Sequence, residues 1–146
     1  MEASAGSGAL RVRLLPDIIA QIDQALLAVL EEQAAVQLLV VSTLDGRKVT
    51  SHSRSQADAA RIAALAATLL SMSAAAAKEL GGQRATECIV MHDSGILCFN
   101  RLGPNARFVL AAAASVSLNL GMLVSIGRRL SQGVGQALER LLETGS

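Results

Sequence analysis

Between Ile62 and Ala77 the chain carries no ionisable side chain. The surrounding segment, residues 57–80, reads as a helix. Ser55 can cap its start, Asp58 places an acid where a first turn favours one, and Gly81-Gly82 stops it. A helix on the surface of a globular protein keeps one charged face, and this one keeps none. Its large residues, Ile62, Leu65, Leu69 and Met72, form one stripe. Ala60, Ala64, Ala67, Ser71 and Ala74 form a second on roughly the opposite side. Two arrangements satisfy that pattern. Either the helix is sunk in the core of its own chain, or the large stripe covers a sheet while the small stripe, which permits close backbone approach, meets another molecule.

The rest of the chain supplies the sheet. Residues 36–43 are apolar on both alternating sets, Leu38 and Val40 on one face and Leu39 and Val41 on the other, as in a strand covered on both sides. Asp45-Gly46 reads as a two-residue type I′ hairpin turn. The returning strand, 47–53, has Val49 as its one large aliphatic residue. Lys48, His52 and Arg54 discourage pairing with a further chain, so this strand is expected at a solvated edge. Further strands are expected at 86–92, at 96–100 after the Asp93-Ser94-Gly95 turn, and at 107–112 after the Gly103-Pro104 turn.

Two more helices frame these strands. Leu15, Ile18, Ile19, Ile22, Leu26, Val29 and Leu30 give helical spacing within 14–32, with Pro16 suited to the first turn. Leu118, Met122, Ile126, Leu130, Val134 and Leu138 recur every four residues within about 117–142, where Gly133 and Gly135 weaken the helix near Ser131. The order α-β-β-α-β-β-β-α, with short links between strands, predicts an α/β (α+β) fold: a five-stranded antiparallel sheet with helices on both faces. A single domain over 11–146 is expected, after a small, polar, disordered start at 1–10.

Composition narrows the chemistry. Aromatic residues make up 1% of the 146 residues, and the net charge is +1. Neither a stacking platform nor a basic field for nucleic acid is therefore available. Residues 108–127 are uncharged over a membrane-sized length. However, Ser115, Ser117 and Asn119 sit in the middle of that stretch, and its amphipathic pattern continues beyond it. No membrane span is expected there; a strand followed by the start of a buried helix fits better. His52 and His92 lack partners at metal spacing. Cys88 and Cys98 fall on neighbouring strands but not opposite each other, which favours buried thiols over a disulfide. Arg128-Arg129 read as an exposed pair. No acid–base pair, activated nucleophile or phosphate loop is recognisable. The expectation is a reduced, cytoplasmic protein that is not an enzyme and uses no cofactor and no metal.

Four stretches together resemble the Roadblock / dynein light chain (Roadblock/LC7) family, in particular its small bacterial and archaeal members. They are LLVVSTLDGRKVTS (38–51), ADAARIAALAATLLSMSAAAAKELG (57–81), ECIVMHDSGILCFNRLGPNARFVLAA (87–112) and LGMLVSIGRRL (120–130). They resemble the family's apolar strand with its Asp-Gly turn, alanine-rich central helix, three-strand meander and final helix. The resemblance implies a profilin-like fold and a homodimer in which central helices pack antiparallel and a strand edge joins two sheets. It implies a dimer interface at Ala60, Ala64, Ala67, Ser71 and Ala74 on the helix and at Cys88 and Val90 on the apolar strand 86–92, whose edge needs covering. It also implies a regulator or scaffold for a Ras-like small GTPase. The alternatives are a purely structural adaptor within a larger complex and a sensory domain for a small ligand.

Overall fold

The computed structural model describes residues 10–103 and 105–144. The expected disordered start therefore lies outside the described residues except for Leu10, which opens a strand. In chain order the elements are β1 (Leu10–Val12), α1 (Pro16–Glu32), β2 (Val36–Thr43), β3 (Lys48–Ser53), α2 (Ala59–Glu79), β4 (Glu87–His92), β5 (Gly95–Leu102), β6 (Phe108–Ser115), α3 (Leu120–Glu139) and β7 (Leu142–Thr144). Five strands form one antiparallel sheet in the order β3-β2-β6-β5-β4. Both expected edges, the polar β3 and the apolar β4, are at the edges.

Two separate cores hold the sheet. Leu39, Val41, Cys98, Phe108, Leu110 and Ala112 face α1 and α3, which bury Ile18, Ile22, Leu26, Leu123, Ile126, Leu130 and Leu138. Leu38, Val40, Phe99, Val109 and Ala111 face α2. Helices thus lie on both faces, as the double-sided apolar pattern of β2 requires. Residues 108–127 divide between β6, the middle strand of the sheet, and the first turns of α3, so they form no membrane span.

Several local expectations are corrected. Asp58, not Ser55, caps α2: its carboxylate accepts the Ala60 and Arg61 N–H groups at 3.1 and 3.2 Å. Ser55 is held instead by Ser53. The hairpin between β2 and β3 is not a two-residue type I′ turn. Thr43 N–H donates to the Arg47 carbonyl at 2.9 Å and Gly46 N–H to the Thr43 carbonyl at 3.1 Å, and only Gly46 of the loop has positive φ, at 92°. This is a three-residue loop with a bulge glycine. The Thr43 hydroxyl bonds the Asp45 carboxylate inside it. Gly46 is also pressed against α2; a Cβ there would lie 3.2 Å from Ala64 Cα and 3.3 Å from Ala67 Cβ.

The third helix starts at Leu120, capped by Asn119, whose Oδ1 accepts the Met122 N–H at 2.8 Å. It ends at Glu139 rather than Leu142, and it runs unbroken through Gly133 and Gly135. Beyond it, β7 pairs with β1 in a small second sheet that sequence reasoning missed. Its residues are too few and too far apart along the chain to announce a pairing. The sixth strand reaches Ser115, so the alanines at 111–114 are strand despite their helix propensity. Ladders to β2 on one side and β5 on the other override it.

Two glycine variants separate packing from propensity. At Gly95, an added Cβ would stand 2.1 Å from the Ala114 carbonyl oxygen in the neighbouring strand. Gly95→Ala is expected to destabilise by about 3 kcal/mol. At Gly133, on exposed helix surface, a Cβ meets nothing within 4 Å, and Gly133→Ala is expected to stabilise by about 0.8 kcal/mol. Urea unfolding midpoints should move in opposite directions for the two variants.

Candidate interaction surface

The central helix and the β4 edge meet on one side of the molecule. The helix α2 is long and apolar enough to cross a membrane by length and composition. It nevertheless lies across the sheet and is joined to it at both ends, by β3 and by β4. Inserting it into a bilayer would strip the cover from Phe99, Val109 and Ala111. Its grip on the sheet is narrow, with only Ala63, Ala66 and Leu70 buried. The large stripe was expected to cover the sheet and does so only in part. Ile62 and Leu69 pack against it, but Leu65 and Met72 point outward, 47% and 64% exposed. The most deeply buried row is mostly small, Ala63 and Ala66 with Leu70, because alanines let the helix backbone sit close to the strands.

The second stripe lies along the flank of α2 that faces the Leu44–Gly46 loop. Ala60, Ala64 and Ser71 are exposed; Ala67 and Ala74 are half-buried. Ala67, Ser71 and Ala74 line a shallow cleft of about 210 Å³ with Leu44 and Arg101. The outward face of α2 therefore combines exposed small residues with Leu65 and Met72 and carries no charge between Arg61 and Lys78.

Beyond the C-terminal half of α2 lies β4, bonded among the described residues only to β5. Its outer edge offers backbone donors and acceptors to whatever approaches. Cys88 and Val90 point toward α2 and are half-buried against it. On the other face Ile89 and Met91 are 40% and 70% exposed. A strand with apolar residues on both faces and an unpaired edge is an incomplete sheet.

The remaining chemistry is structural. The His52 Nε2 lies 3.0 Å from Asp23 Oδ1, and the Thr50 hydroxyl donates to the same oxygen at 2.5 Å. This ties β3 to α1, and no sequence signal foretold it, since the partners lie on elements separated by β2. The register places Cys88 opposite Phe99 and Cys98 opposite Ile89, so the thiols lie on opposite faces of the sheet and both are free. Burial, with smaller contributions from Glu87 and Cys88, pushes the Cys98 thiol up to about 11, which suppresses its thiolate. Arg128 and Arg129 are exposed; Arg129 lies 3.8 Å from Glu32 and Arg128 4.0 Å from Glu87. Among the described residues no group of three or more His, Cys, Asp or Glu is placed to hold a metal ion.

Known proteins share this architecture. The structure of the gliding protein MglB from Thermus thermophilus matches with a TM-score of 0.76 at 19% identity, over 96% of this chain and 99% of that one. An MglB in a tetrameric arrangement matches with a TM-score of 0.78 at 19% identity, over 97% and 99%. A Roadblock/LC7 domain from Streptomyces avermitilis matches with a TM-score of 0.72 at 23% identity, over 80% and 97%. At these identities the likeness is one of fold. No curated protein matches the sequence. The Roadblock/LC7 domain family model, however, matches residues 22–121, from the middle of α1 to the start of α3, and the chain belongs to the Roadblock/LC7 domain family.

Proposed function

We propose that this protein works as a homodimer that binds a Ras-like small GTPase and modulates its nucleotide cycle, acting in the cytoplasm and catalysing no reaction of its own. The observation that carries the proposal is the uncharged outer face of α2 beside the unpaired apolar edge of β4. A second copy satisfies both at once. Antiparallel pairing of two β4 strands about a twofold axis bonds the free edges. The same operation brings two α2 helices together over the seam, each covering the other's Leu65 and Met72. The contact includes the flank residues Ala60, Ala64, Ala67, Ser71 and Ala74 and, beneath the helices, Cys88 and Val90. A stable interface of this kind buries on the order of 1,600 Å² in total. Self-association of the MglB with a tetrameric arrangement agrees with this reading.

Family membership supports the choice of partner. The dimer would act by holding the GTPase switch loops in one arrangement, since order and disorder of those loops set the nucleotide state.

Leu65→Glu with Met72→Glu tests the seam without touching the monomer core, because both side chains already face solvent in the single chain. Analytical ultracentrifugation at micromolar concentration should find a dimer for the parent chain and a monomer of unchanged circular dichroism for the double variant. A parent chain that sediments as a stable monomer refutes the seam. The partner is tested by pull-down of the small GTPases of the same cell, followed by GTP hydrolysis and nucleotide-exchange assays with and without the dimer. Binding that changes either rate supports the proposal. A partner set without a GTPase favours the adaptor reading.

A further inference from the structure

A second cleft, of about 340 Å³, opens at the end of the sheet beside α3. Its walls are the chain leading into β4, the end of β5 and the middle of α3. Three arginines from those three elements line it: Arg84, Arg101 and Arg128. Glu87 is the one carboxylate in the lining, and it reaches Arg128 only at 4.0 Å. The cleft thus holds two positive charges more than negative ones.

Two details indicate that the excess awaits a ligand. Arg101 Nε is buried and has no hydrogen-bond partner. A buried guanidinium donor without an acceptor destabilises a fold unless something fills it. Ser131, also in the lining, accepts the Gly103 N–H through its Oγ at 3.3 Å, which leaves its own proton free to donate.

We propose that this cleft is a binding site for a phosphate group, free or esterified to a small molecule. Guanidinium forks match tetrahedral oxyanions with paired N–H···O bonds, and a doubly charged phosphate balances the cleft. The lining contains no aromatic ring, so it offers no aromatic platform for a nucleobase. The site stands independently of the GTPase reading, because a single chain supplies its whole lining and no GTPase takes part.

Isothermal titration of the full chain with inorganic phosphate and with glycerol 3-phosphate, in chloride buffer of matched ionic strength, tests the site. Arg84→Ala with Arg128→Ala removes two exposed guanidiniums and leaves the core untouched. Arg47→Ala with Arg107→Ala removes the same charge from a different cleft. Saturable binding is expected, weakened about tenfold or more by the first pair and unchanged by the second. Tighter binding of the ester identifies an esterified ligand and equal binding the free anion; both uphold the site. No saturable binding of either probe, or equal weakening by the two pairs, overturns it.

Discussion

Leu38 and Val40 point to one side of the sheet and Leu39 and Val41 to the other, and all four are shielded from water. A strand buried on both faces cannot exist in a two-layer protein. It demands cover above and below, and the rest of the architecture answers that demand. The neighbouring strand β6 repeats the pattern with Val109 and Ala111 on one side and Phe108, Leu110 and Ala112 on the other. Burying these side chains twice over is the main source of stability in a chain with almost no aromatic residues.

The two covers are unequal. Two helices, α1 and α3, fill one face with long aliphatic side chains. The opposite face has α2 alone. It approaches closely because its inward row is mostly alanine, and close approach leaves it narrow. One helix spanning five strands cannot hide its own outer side as well, so the uncharged stretch from Ile62 to Ala77 emerges partly in solvent. The edges differ in the same sense. At β3, Lys48 and the Thr50–Asp23–His52 contacts finish the sheet against α1. At β4 no further strand among the described residues finishes it. The single chain is thus closed along one side and open along the other.

Much of this was legible in the residues. The order of elements, the antiparallel sheet, the helices on both faces and the two edges all follow from short-range patterns: alternation, four-residue spacing, and turn or cap residues. Local signals failed where they competed. Ser55 has the side chain of a cap and Asp58 reads as a first-turn acid, yet the carboxylate is the group that reached two free N–H groups. The Asp45-Gly46 pair suits several hairpin loops, and contact with Ala64 and Ala67 favours the one seen. The stripes on α2 were visible, but their orientation was not. Leu65 and Met72 share a periodicity with Ile62 and Leu69, yet the helix rolls so that alanines meet the strands.

The sequence by itself determined that this chain makes a doubly covered antiparallel sheet with an uncharged central helix, because strand alternation and helical spacing are properties of neighbouring residues. Only the tertiary structure decided which side of that helix faces out, how β1 and β7 find each other, and that Arg84, Arg101 and Arg128 share one cleft. Those facts depend on contacts between residues far apart in the chain, and no local pattern records which distant surfaces will fit.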